Sequence, residues 1–159
     1  MKARQRRDLV LKRSGEVKTD LAKILSVSGR HGLYLFLAQS RGGAIAESLA
    51  DHKRLSVDAH SRISTHSDIA IYTSEGEMRL AEVFTAMKKA ADGGAAVPGA
   101  KAPESEITAF FAEAVPNYDS DRFYVSHMRK VLDWYDELVK YASLDFVTDE
   151  EREAQVEEA

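Results

Sequence analysis

The stretch that decides the fold is Gly32-Leu33-Tyr34-Leu35-Phe36-Leu37, followed a few residues later by Arg41-Gly42-Gly43-Ala44-Ile45-Ala46-Glu47-Ser48-Leu49. Leucines at 33, 35 and 37 alternate with aromatics at 34 and 36. A period of two places leucines on one face of a strand and aromatics on the other. Arg41-Gly42-Gly43 reads as a hairpin turn, because glycine enters positive φ without steric cost. Ala44 to Leu49 then returns as a second strand.

The pattern continues on the C-terminal side. Ala50-Asp51-His52-Lys53 is a polar turn and Arg54 to Val57 a third strand. Ile63 marks a short fourth segment, and Asp68 to Thr73 reads as a fifth strand. Ser74-Glu75-Gly76-Glu77 is expected to end the sheet. On the N-terminal side, Thr19 or Asp20 can cap a short helix through Leu21, Ile24 and Leu25, broken by Gly29 and Gly32. Short strands joined by tight turns imply a small, bent structure.

Beyond Gly76 the period changes. Leu80, Val83, Phe84 and Met87 give an amphipathic helix. Asp92 to Ala100 is rich in glycine and alanine with one proline, and reads as a mobile linker. Pro103 opens the next helix, whose buried stripe is Ile107, Phe110, Phe111 and Ala114, and Pro116-Asn117 stops it. Ser126 is the expected N-cap of the longest helix, with Met128, Val131, Leu132, Tyr135, Leu138, Val139 and Ala142 on one face.

The expected fold class is α+β: a small SH3-like barrel or a bent five-stranded antiparallel sheet, followed by a helical C-terminal region. The expected divisions are a basic disordered tail at 1–18, a small β domain with its covering helix at 19–91, a Gly/Pro linker at 92–102, a helical domain at 103–147 and an acidic, frayed tail at 148–159. Val17 just precedes the first patterned segment, and some bacterial reading frames open on a valine codon. Residues 1–16 are therefore also readable as lying upstream of the native start.

The chain of 159 residues carries a net charge of -4, unevenly spread. Residues 1–17 sum to +4, residues 18–75 to +1 and residues 76–159 to -9. An acidic back half repels phosphate, so nucleic acid is expected to reach only the front half or the basic tail. Cysteine is absent, which removes disulfides, thiolate metal sites and a cysteine nucleophile. No apolar run approaches the ~18 residues of a membrane helix, and Leu9-Val10-Leu11 is too short for a secretory signal. The expected compartment is the cytoplasm.

Catalytic motifs are missing by spacing rather than by residue type. His31, His52, His60 and His66 sit in predicted turns without metal-ligand spacing and read as solvated. His66-Ser67-Asp68 has the letters of a triad, but adjacent residues cannot converge in that geometry. No cofactor, metal or catalytic residue is expected. Two surfaces are candidates. Arg30, Arg41, Lys53, Arg54 and Arg62 lie in or beside turns, and Tyr34, Phe36 and Tyr72 are able to share one sheet face, a combination that small barrels use for single-stranded RNA. Trp134, Tyr135 and Tyr141 lie on the last helix, where aromatics anchor protein partners or pack inside a domain.

The run Leu21-Ala-Lys-Ile-Leu-Ser-Val-Ser-Gly-Arg-His-Gly-Leu-Tyr, with Ile45-Ala-Glu-Ser-Leu and Lys53-Arg54, resembles an uncharacterised family of short bacterial proteins typical of the Bacteroides group. Phe110-Phe111, Val115-Pro-Asn-Tyr-Asp, Asp121-Arg-Phe-Tyr-Val-Ser and Val131-Leu-Asp-Trp-Tyr carry the same resemblance. It spans roughly residues 19–147. It implies a small β domain plus a helical C-terminal domain, and no activity, since this is a domain of unknown function. The function expected from these readings is a non-enzymatic protein–protein interaction or scaffolding module. The alternative is a small RNA-binding or ribosome-associated protein.

Overall fold

A computed structural model describes residues 10–11, 17–58, 60, 62–148, 150–151 and 153–154. Most of the basic tail, and most of the stretch readable as upstream sequence, lies outside the described residues. Within that stretch β1 (Val10–Leu11) pairs antiparallel with β2 (Val17–Lys18).

The main sheet has five antiparallel strands in the order β6-β5-β4-β3-β7. They are β3 (Ile24–Val27), β4 (Tyr34–Ser40), β5 (Gly43–Ser48), β6 (Arg54–Asp58) and β7 (Ile63–Thr65). The β4–β5 hairpin turns at Arg41-Gly42, as predicted, with Ser40 opposite Gly43. No closed barrel forms among the described residues: β6 and β7 are the two edges of an open sheet.

Two elements differ from expectation. The helix predicted at 21–25 is a single 3₁₀ turn, Leu21–Lys23, capped by Asp20 Oδ1 accepting the Ala22 amide at 3.0 Å. The chain then enters β3 at Ile24. One helical turn is a costly nucleus, whereas β3 is hydrogen-bonded on both sides, to β4 and β7. The segment predicted as a fifth strand of this sheet forms a separate hairpin instead. There β8 (Ala70–Thr73) pairs with β9 (Gly76–Arg79). Ser74-Glu75 is that hairpin's turn, held by Thr73 Oγ1 donating to Gly76 O at 2.8 Å. The segment after Pro116 adds to it, since Ser74 N donates to Asn117 O and Asp119 N to Tyr72 O.

The helices that follow include α1 (Leu80–Asp92), α2 (Glu104–Ala114) and α3 (Val125–Tyr141). Pro103 immediately precedes α2 as predicted. The third helix begins two residues earlier than the Ser126 cap implied. The Tyr124 amide, just before it, donates to His127 Nδ1 at 3.2 Å. Val139 is not part of the buried stripe and is 53% exposed, because it lies on the flank beyond Leu138.

The leucine face of the sheet packs on these helices. Ile24, Leu33, Leu35 and Leu49 share one core with Val83, Phe84, Met87, Ile107, Phe111, Met128, Leu132 and Leu138. This core crosses residues 92–102. Ala95, Val97, Ala100 and Ala102 pack against it, and Arg129 donates to Ala100 O at 2.8 Å and Ala102 O at 3.0 Å. The stretch expected as a mobile linker is thus held on the core.

The opposite face of the sheet has a smaller core of its own. Leu25, Val27, Ala46 and Val57 are buried there, rimmed by Tyr34, Phe36, Leu55 and Ile63. All eight belong to the sheet, and β4 carries an irregularity between Phe36 and Ala38.

The two ends of the described chain meet. Thr19 is fully buried; its amide donates to Asp145 O, and Val147 N donates to its carbonyl. Lys18 Nζ contacts both carboxylate oxygens of Glu151, at 2.6 and 2.8 Å. The start of the acidic tail is therefore anchored. No helix among the described residues is long and apolar enough to cross a membrane.

Phe84 is fully buried and touches the ring systems of Tyr135 and Phe146 at centroid distances of 6.4 and 5.8 Å. Phe84→Ala is expected to lower unfolding free energy by about 3–5 kcal/mol in urea denaturation. A loss below about 1 kcal/mol would contradict the packing described.

Candidate functional site: the cleft between the β3–β4 turn and the last helix

The turn joining β3 to β4 is Ser28-Gly29-Arg30-His31-Gly32, and two of its residues need glycine. Gly29 and Gly32 have φ of 81° and 94°. A Cβ on Gly32 would also meet Glu137 Oε1 at 3.3 Å. The turn therefore lies directly against α3, with the Leu33 amide hydrogen-bonded to the Glu137 carboxylate. Burial pushes the Glu137 carboxyl above its ordinary range, an effect opposed by nearby His31 and by the Leu33 amide. One carboxylate oxygen, Oε2, is buried without a hydrogen-bond partner.

Beside this contact opens a cleft of about 520 Å³. Its β side is Ser26, Ser28, Ser64, Arg62 and the turn with Arg30 and His31; its helical side is Lys130, Asp133, Trp134 and Glu137. On α3, positions 130, 134, 137 and 141 follow the i, i+4, i+7, i+11 spacing of one strip. Tyr141, 39% exposed, extends the strip past the cleft.

Behind the cleft wall is a short polar stack. His66 is completely buried, and its ring meets Trp134 edge-on at 4.5 Å. Its Nε2 lies 2.6 Å from Ser26 Oγ, while Nδ1 has no partner. Burial lowers its pKa to about 4. The imidazole is therefore neutral at pH 7 and a weak base, with no carboxylate orienting Nδ1 as proton-transfer chemistry would need. Sequence reasoning read His66 as a solvated turn residue. It sits in a turn, the 3₁₀ turn His66–Asp68, but one that is covered by Trp134. His31, His52 and His60 are exposed. Among the described residues no three His, Asp or Glu side chains converge as a metal site.

The structure distributes the sequence candidates unevenly. Arg30 and Trp134 face each other across the cleft. Tyr135 is buried in the main core, beside Phe84. Tyr34 and Phe36 are half-buried in the sheet's second core. Arg41 lies at the far end of β4 from Arg30, about 20 Å along a seven-residue strand. Lys53 and Arg54 are exposed at the β5–β6 turn. The cations and aromatics of the proposed RNA surface are therefore not gathered on one platform. Arg62, one of the cations expected beside the sheet's turns, also lines the cleft; Lys130 was missed by sequence reasoning, and only the helical spacing of 130, 134 and 137 hints at it.

The architecture is that of an α+β protein whose open sheet and helices share one core. A family model for a domain of unknown function (DUF5606) matches residues 21–65, and one for a second domain of unknown function (DUF6852) matches residues 69–138. The stretch between the matches is the His66–Asp68 turn. A solution NMR structure from Bacteroides vulgatus, a Northeast Structural Genomics Consortium target, is 36% identical, with a TM-score of 0.64. The match covers 80% of this chain and 97% of that one. No curated protein matches the chain. The chain belongs to this uncharacterised, Bacteroides-type family.

A histidine with a depressed pKa favours the folded state above its unfolded pKa, near 6.5, and that contribution is lost as pH falls toward its folded pKa, near 4. NMR titration of His66 is expected to give a midpoint near pH 4, and His66→Phe is expected to lose the matching acid sensitivity of the urea midpoint. A His66 midpoint near 6.5 would contradict its burial.

Proposed function

We propose that this protein is a non-enzymatic interaction module that holds a protein partner along the α3 strip and in the cleft beside it. One observation carries the reading: Trp134 and Arg30, from opposite halves of the chain, line one cleft that continues toward the exposed Tyr141. A half-buried tryptophan beside an arginine has the composition of an interface anchor. The strip is rigid, because the opposite side of α3 is fixed in the core through Met128, Val131, Leu132, Tyr135 and Leu138. A pre-formed surface loses little freedom on binding.

The RNA-binding alternative has less support, since Tyr34 and Phe36 pack with the sheet's own apolar residues. The proposed compartment is the cytoplasm, which suits a chain without cysteine.

Trp134 is the chain's single tryptophan and lines the cleft, so tryptophan emission comes from this one residue. A photo-crosslinking residue placed at 141 in native cells is expected to give a discrete protein adduct, while one at 41 gives none. The purified partner is expected to shift Trp134 emission. A partner that leaves this emission unchanged, or an adduct formed equally from both positions, would contradict the reading.

A further inference from the structure

Several cations of this chain are committed to internal contacts. Lys18 meets Glu151, Lys88 meets Asp92 at 3.3 Å, Arg122 meets Asp119 at 2.9 Å and Lys140 meets Asp136 at 2.9 Å. Arg129 is used on backbone carbonyls. Arg30, Arg62 and Lys130 make no ion pair with any described residue, and all three line the one cleft. They arrive from three places: the β3–β4 turn, the residue before β7, and α3.

Two carboxylates face them. Glu137 is engaged by the Leu33 amide at the turn, and Asp133 lies one residue before Trp134 on the same wall. The serines at 26, 28 and 64 add hydroxyls to the β side, while Val27, Ile69 and Trp134 add apolar surface. The cleft is thus a cationic recess with an aromatic wall, in a chain whose net charge is -4.

We infer that this cleft takes a short acidic segment of the partner, with its carboxylates on Arg30, Arg62 and Lys130 and a neighbouring apolar side chain against Trp134. This rests on the interaction reading above. Arginine presents a planar fork of donors that matches a carboxylate, and lysine adds a mobile point charge. Size decides between an acidic peptide and a nucleic acid. A strand with a charge on every phosphate runs out of a recess of this volume onto the acidic helices, where it is repelled. A segment of a few residues stays within the cleft, and carboxylates farther than about 8–10 Å are largely screened at physiological salt.

The test uses the full chain and Trp134 emission. The titrants are a blocked six-residue peptide alternating glutamate and leucine, the same peptide with glutamine for glutamate, and a single-stranded RNA. A saturable change is expected with the glutamate peptide alone. The double variant Arg30→Glu, Arg62→Glu is expected to weaken it about tenfold or more, which is ~1.4 kcal/mol. Lys130→Glu should weaken it independently, and Arg41→Glu should leave it unchanged. Circular dichroism on each variant verifies the fold. No saturable change, equal binding of the glutamine peptide, preference for RNA, or full affinity in the folded charge-reversed variants would each overturn the inference. A protein adduct from position 141 that survives charge reversal overturns the acidic chemistry and leaves the interaction reading standing. Charge-dependent peptide binding without any adduct does the reverse.

Discussion

Leu33 and Leu35 have no exposed surface, and what covers them is the inner side of the helices rather than another part of the sheet. The shared core built on them governs the rest of the molecule. The leucine face of the sheet and the apolar stripes of the amphipathic helices each need a surface to bury them. Each half supplies the other's missing layer. That dependence explains why residues 92–102, despite their glycines, lie on the core and are held by Arg129.

Further contacts close the structure around that core. Thr19 joins the segment before the first 3₁₀ turn to the segment after α3, using its backbone amide and carbonyl together with a hydroxyl donating to Ser143 O at 2.8 Å. The β8–β9 hairpin is extended by 117–119 and covered by α3. Glu137 seats α3 against a turn whose Gly29 and Gly32 hold positive φ. The cleft is a consequence of this arrangement: where the turn leaves the sheet, α3 follows it only part of the way, and the gap is lined by whatever polar residues each half presents.

Much of this was legible in the sequence because periodicity reports burial directly. Leu33-Tyr-Leu-Phe-Leu, the Gly-Gly turn and the stripes of α1, α2 and, Val139 apart, α3 are as their spacing predicts. The misreadings have a common cause. Leu21 to Leu25 fits a helical turn or a strand equally well, and only pairing on both sides of β3 decides between them. The stretch from Ala70 to Thr73 is a strand either way, but its partner, β9, contains a single apolar residue, Met78, and so carried no alternating signal. Residues 92–102 have a linker's composition; that Ala95, Ala100 and Ala102 pack half-buried against the core depends on tertiary contacts such as those with Arg129. At the cleft, Arg30, Arg62 and Trp134 were visible as residue types, whereas Lys130 and Glu137 gain their meaning from a tertiary contact that local sequence does not encode.

The account makes the sheet and the last helix a single cooperative unit, with the cleft fixed at their junction. Native-state hydrogen exchange tests this most directly, because it reads the opening free energy of each amide separately. The amides of Leu35 in β4 and Leu132 in α3 are predicted to exchange with the same free energy, equal to that of global unfolding. An α3 that opens at a cost lower by about 2 kcal/mol or more, while β4 stays protected, would show two separable parts and contradict the shared core.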